Sequence, residues 1–162
     1  MTHSGDLGAA PSGAAPAEGG GEFRVTLTLE EGYRFDVDPG LDGARHFHID
    51  ETPPLGAGGD ANPSRVLASA MASCLASSLL FCLRKARITV RSLRVEARGT
   101  LVRNERKRLR IGGLHIELFP EIAAGDEERM KRCLEIFEDF CVVTDSVRRG
   151  IPVIVGVETH AS

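Results

Sequence analysis

Residues 62–86 read NPSRVLASAMASCLASSLLFCLRKA, and the fold turns on how this stretch is taken. Asn62 can accept a hydrogen bond from the free N–H groups that open a helix, and Pro63 suits the first helical position because it has no N–H to leave unpaired. No Gly or Pro interrupts residues 64–86, and Arg84, Lys85 and Arg87 put positive charge where a helix dipole ends negative. A helix from Pro63 to Ala86 is predicted. Val66, Leu67, Ala70, Met71, Cys74, Leu75, Ser78, Phe81 and Cys82 recur at three and four residues, and Ala68, Ala72, Ala76, Leu79, Leu80 and Leu83 make the other side apolar too. A helix apolar nearly all round is expected to be a buried central helix.

Upstream, FRVTLTLE (23–30) sets Phe23, Val25, Leu27 and Leu29 on one face; YRFDVD (33–38) and ARHFHID (44–50) alternate in the same way. Period two marks half-buried strands, and Gly32 and the segment PGLDG turn the chain, so a three-strand meander is expected. ETPPLGAGGDANP (51–63) is a loop. Downstream, SLRVEARGTLVR (92–103) and LRIGGLHIELF (109–119) form a second hairpin across the charged turn NERKR. The stretch 125–150 opens with Asp126, Glu127 and Glu128, carries Met130, Cys133, Leu134, Phe137 and Cys141 as an apolar stripe, and closes with Arg148, Arg149 and Gly150. It reads as helix, with a break allowed at the β-branched Val142, Val143 and Thr144. IPVIVGVETH (151–160) reads as a final strand. Strands, helix, strands, helices and strand in that order give an α+β fold with antiparallel sheets, not alternating βαβ.

Residues 1–21 are Gly, Ala, Pro and Ser with almost no large apolar side chain, and are expected to be a disordered tail ahead of a single domain over 22–162. A chain of 162 residues buries one ordinary core. The net charge of −3 is made of interspersed acids and bases, and aromatic residues are 5% with no Trp. Both argue against a nucleic-acid partner. The first residues lack a basic stretch followed by an apolar one, and no run reads as the roughly 18 apolar residues of a membrane span. No membrane association and a cytoplasmic location are the expectations, with the four cysteines reduced at rest.

Buried cysteine is a common small core residue, which is the default reading of Cys74, Cys82, Cys133 and Cys141. A zinc site is not expected, because each pair is eight residues apart (82 − 74 and 141 − 133) where zinc knuckles use closely spaced ligands. No metal and no bound cofactor are expected. GAGGD lacks the preceding strand and the Lys-Ser/Thr ending of a phosphate loop. RNERKR reads as a solvated turn.

The Pro/Gly-rich loop running into NPSRVLASAMASCLASSL, and FEDFCVVTDSVRRGIPV downstream, resemble the OsmC/Ohr family, osmotically inducible protein C and the organic hydroperoxide resistance proteins. The likeness covers residue 22 to the end. It implies an OsmC-like fold as an intertwined homodimer, with long central helices wrapped by sheets from both subunits. It also implies a thiol peroxidase that reduces organic hydroperoxides, with Cys74 attacking the peroxide, Cys141 resolving it, and a dithiol such as a lipoylated protein as reductant. Cys82 and Cys133 match no family motif and keep the structural reading.

Such chemistry needs a thiolate, because a free thiol with a pKa of about 8.5 is only a few per cent ionised at pH 7. Cys74 is 12 residues past Asn62 (74 − 62), beyond reach of the dipole at its own helix start. A cation from elsewhere is required. The resemblance assigns this role to an arginine of the N-terminal strands, here Arg34 or Arg45, held by a glutamate near the start of the central helix. That glutamate position is Ser64 in this chain, and Glu51 could stand in if the loop folds back. His46 and His48 point away from the Phe face of their strand and could neighbour the thiolate. Met71, Leu75, Phe81 and Phe140 are the expected apolar lining of a substrate pocket, which would favour alkyl hydroperoxides over hydrogen peroxide. The alternative is an OsmC-fold protein that binds a small apolar molecule and has little or no peroxidase activity.

Overall fold

The helix over 63–85 forms as its pattern requires. In the computed structural model, which describes residues 20–159, helix α1 spans Pro63–Lys85 with Pro63 at its first position. The Asn62 side chain accepts from the Arg65 N–H at 3.0 Å, closing one of the orphan donors at the helix start. Met71, Leu75, Ser78, Leu79, Cys82 and Leu83 are its buried residues, spaced at three and four. Within one chain only this stripe is covered. The remaining apolar surface of α1, Phe81 included, stays partly or wholly exposed. Contrary to the sequence expectation, α1 is also long and apolar enough to span a membrane, 23 residues with a mean hydropathy of 2.0 in its 18-residue window. Here it packs against protein.

What it packs against comes from the second half of the chain. Strands β4 (Val90–Arg103) and β5 (Leu109–Ile122) form one long antiparallel hairpin around Asn104, whose side chain accepts from the N–H groups of Arg106 and Arg108. Thr100 faces Gly113 and Leu101 faces Ile111, so Gly112 is the extra residue of a bulge. A Cβ there would lie 2.5 Å from Val102 Cγ1, which is why the bulge carries glycine. Helix α2 (Glu127–Ile136), a 3₁₀ turn at Phe137–Phe140 and helix α3 (Val142–Arg149) then cross the same side of α1. The break falls before Val142, and the β-branched triplet forms the first turn of α3 instead of interrupting a helix. Leu75, Leu79, Cys82, Leu83, Ile88, Cys133, Phe137 and Cys141 make one continuous core.

Leu83 is fully buried at its centre, at 0% exposure. Leu83→Ala removes its apolar area and leaves a cavity, at an expected cost of about 2–5 kcal/mol. A urea unfolding midpoint unchanged by this substitution would contradict the assignment of the core.

The N-terminal strands β1 (Thr26–Glu31), β2 (Arg34–Asp38) and β3 (Phe47–Ile49) make the expected meander in the order β1-β2-β3. Its burial departs from expectation. Every residue of β1 is exposed, and Phe23 and Val25 lie ahead of the strand and are exposed as well. The alternation that predicts a half-buried strand is real, but the described residues form no layer over it. The closing segment departs further. Residues 151–159 form no strand, and Val153, Ile154, Val155 and Val157 are 79–83% exposed. Among the described residues no strand pairs with this segment. Of the predicted tail, residues 1–19 lie outside the described residues.

Candidate active site

Cys74 lies more than three turns into α1, and Cys141 is the residue from which α3 springs. Although 67 residues separate them (141 − 74), the crossing of α3 over α1 brings their thiols near enough to act on one another. Cys141 is buried and its thiol donates to Thr144 Oγ1 at 3.1 Å. Cys74 is half-buried, and the backbone N–H groups of Val142 and Val143, the first turn of α3, are near enough to favour its anionic form.

These neighbours pull in opposite directions. Burial first, then the Cys141 thiol, push the Cys74 thiol above its ordinary pKa, while the two amides of α3 pull it down. The upward effects prevail. Among the described residues of one chain, no cation is among the groups acting on Cys74. The α3 amides, with their helix dipole behind them, were not foreseen from sequence, where only α1 was considered as a source of dipole. The signal was available, since Cys141 immediately precedes a helical stretch ending in Arg148 and Arg149.

The other two cysteines also meet. Cys82 and Cys133 lie in the same core cluster and are both buried. The pairs 74/141 and 82/133 add to the same sum (215), so the chain from Cys133 on α2 to Cys141 at the start of α3 runs back along α1. Burial, then contact with Cys82, pushes the Cys133 thiol from 9.0 up to about 11. Between those two values the native chain keeps a proton that the unfolded chain has lost, so stability declines as pH rises through this window. The urea midpoint is expected to hold level up to about pH 9 and to fall by pH 11, with a shallower fall in Cys133→Ala. Equal slopes in the two proteins would remove Cys133 as the cause.

The arginines lie elsewhere. Arg34 Nε donates to Asp60 Oδ2 at 2.8 Å and its Nη1 pairs with Glu30, with Asp50 also near enough to favour the charge. Asp60 precedes the Asn62 cap by two residues, so Arg34 is held by a carboxylate at the start of α1, though the carboxylate is Asp60 and not the Glu51 considered from sequence. Glu51 contributes its carbonyl, which accepts from the Gly58 N–H at 3.1 Å. The loop is instead gathered by Asp50, whose Oδ2 accepts from the N–H groups of Ala57, Gly58 and Gly59. Twelve residues of helix rise, roughly 18 Å, separate Asn62 from Cys74. Arg45 is exposed and makes no ion pair among the described residues. His46 is held by Asp36 at 2.8 Å, which raises its pKa, and His48 faces Glu30 and Asp36. Both histidines brace the meander.

The apolar lining expected from sequence is divided between two cavities. Met71 and Leu75 border one of about 580 Å³ between α1, β5 and α3, which reaches Thr144, the acceptor of the Cys141 thiol. Phe81 and Phe140 stack with ring centroids 5.7 Å apart and border another, of about 400 Å³, around Cys82 and Cys133. Seven and eight residues along α1 carry Phe81 and Cys82 away from the Cys74 end. Ser64 borders a third cavity of about 290 Å³ between α1 and the hairpin. Among the described residues, no three of His, Cys, Asp and Glu are grouped so as to hold a metal ion.

The OsmC-like protein family matches residues 56–156. Among solved structures, the chain is similar to an OsmC-like protein of unknown function from Vibrio cholerae at 16% identity and a TM-score of 0.63, covering 78% of this chain and 93% of that one. It is likewise similar to an organic hydroperoxide resistance protein from Elizabethkingia anophelis, at 23% identity and a TM-score of 0.59, covering 82% and 91%. A third likeness, at 17% identity, a TM-score of 0.57 and coverage of 78% and 89%, is to an organic hydroperoxide resistance protein from Legionella pneumophila. Curated proteins provide no match.

Proposed function

The chain belongs to the OsmC-like protein family, and from that premise we propose that it is a thiol peroxidase that reduces organic hydroperoxides through Cys74 and Cys141. The observation that carries this reading is the contact of those two thiols at the N-terminus of α3. Structural similarity to proteins named for organic hydroperoxide resistance supports the same theme.

The Cys74 thiolate attacks the terminal oxygen of ROOH; the O–O bond breaks, sulfur is oxidised to a sulfenic acid, and the alkoxide leaves as ROH after taking a proton. The Val142 and Val143 N–H groups face the Cys74 sulfur, where they favour its anionic form. The Cys141 thiol then attacks the sulfenic sulfur, forming a disulfide and releasing water. An external dithiol, such as a lipoylated protein, supplies two electrons and two protons to restore both thiols. The cavity beside Met71 and Leu75 suits the apolar R group.

Among the described residues of one chain, the thiolate still lacks a cation. We assign it to a second copy: in a homodimer, the meander of one subunit brings Arg34, held by Asp60, to Cys74 of the other. The uncovered faces of α1, β1 and residues 151–157 support this assembly, since apolar surface on that scale calls for a partner. The test is consumption of cumene hydroperoxide with reduced lipoamide as donor. Turnover well above that with hydrogen peroxide is expected. No turnover, together with an apolar molecule co-purifying beside Met71 and Leu75, would favour the binding-protein alternative.

A further inference from the structure

The proposed chemistry leaves the far end of α1 unused. There, about two turns beyond Cys74, a cavity of about 400 Å³ is walled by Phe81, Ile136 and Phe140, with Cys82 and Cys133 at its base. Its volume lies in the range of small-molecule sites, about 300–1,000 Å³. The polar residues bordering it are all cationic: Lys85, Arg129 and Arg132.

Those three cations differ. Arg129 is engaged, paired with Asp126 and donating to the Ala86 carbonyl at 3.1 Å, where it also caps the negative end of α1. Lys85 lies 4.8 Å above the Phe81 ring, and neither it nor Arg132 makes an ion pair among the described residues. Two cations without carboxylate partners, beside an apolar wall with no acidic side chain, form a site with one electrostatic sign.

We propose that this cavity binds an anionic amphiphile, such as a medium-chain carboxylate, with its tail between Phe81, Ile136 and Phe140 and its head group against Lys85 and Arg132. The site is separate from the Cys74–Cys141 pair and does not depend on the peroxidase reading; it requires that the second copy leaves the Phe81 end of α1 open. Its occupant covers Cys82 and Cys133.

The test is calorimetric titration of decanoate into the full chain, beside 1-decanol and decyltrimethylammonium below their solubility or micelle limits. One decanoate per chain is expected, with the cation and the alcohol at least roughly tenfold weaker. Reversing both charges in Lys85→Glu/Arg132→Glu is expected to weaken decanoate by roughly tenfold or more. Both side chains are exposed, so the variant is expected to keep its circular dichroism and melting temperature. Cys74→Ser leaves decanoate binding unchanged, which separates this proposal from the peroxidase. In wild type, decanoate is expected to slow N-ethylmaleimide labelling of Cys82 and Cys133 without slowing that of Cys74. Decanol binding as tightly as decanoate, undiminished binding in the charge-reversed protein, or no binding because a second copy fills the cavity would each overturn the proposal.

Discussion

Cys74→Ser is expected to abolish turnover of alkyl hydroperoxides, a loss of at least about a thousandfold, because a hydroxyl cannot take the peroxide oxygen and return it through a disulfide. The substitution exchanges sulfur for oxygen at a half-buried position on a helix that already carries Ser73, Ser77 and Ser78. Unfolding is therefore not the expected source of the loss, and a melting temperature close to wild type is the control. Cys82→Ser and Cys133→Ser each break the other thiol contact, and both are expected to keep most of the turnover. If Cys74→Ser consumed cumene hydroperoxide at the wild-type rate with reduced lipoamide, the assignment of Cys74 would be wrong.

The second large effect concerns assembly. Val153 and Val155 are 81% and 80% exposed within one chain, and alternate residues of an extended segment share a face. Val153→Asp/Val155→Asp adds charge to side chains that touch little in the isolated subunit, so the fold is expected to survive. In the proposed dimer the same face is covered, and burying two unpaired carboxylates per subunit weakens association by about a hundredfold or more. Sedimentation velocity at micromolar concentration is expected to show a dimer for wild type and a monomer for the variant. Peroxidase activity falls with it, because the separated subunit has no cation beside Cys74. Arg34→Met is expected to lose activity to a similar degree while remaining dimeric. A wild-type monomer, or a dissociated variant with full activity, would refute the role given to the second copy.

Several elements were legible from the sequence because their signals are local. Asn62 and Pro63 start α1 and the basic residues end it, and the charged turn at 104–108 joins β4 to β5. The meander follows from its period-two alternation. Burial was less legible, since alternation reports which face is apolar and not what covers it. Phe23 and Leu27 were read as the inner face of a half-buried strand and residues 151–160 as a strand, yet within one chain none of the described residues lies over Phe23, Leu27 or the stretch 151–157.

The site was legible in part. The two motifs carrying Cys74 and Cys141 pointed to a pair, and the crossing of α3 over α1 joins them. The Val142 and Val143 amides were not foreseen because residues 125–150 read as helix with Cys141 on its apolar stripe, not at the start of a new helix. Asp60 was passed over because attention fell on side chains at the family glutamate position and at Glu51, while the loop geometry set by Asp50 brings Asp60 to Arg34. Grouping Phe81 and Phe140 with Met71 and Leu75 failed for a simpler reason. Residues ten apart on one helix stripe, about 15 Å of rise, need not border the same space.

The central claim is that Cys74 and Cys141 act as one redox pair, and disulfide mapping tests it most directly. The reduced protein is treated with one equivalent of cumene hydroperoxide, quenched with N-ethylmaleimide in acid, digested and examined by mass spectrometry. The account predicts a Cys74–Cys141 cross-linked peptide lighter by two hydrogens, with Cys82 and Cys133 recovered as alkylated thiols. A disulfide at Cys82–Cys133 with Cys74 unmodified, or four alkylated thiols after the peroxide has been consumed, would contradict it.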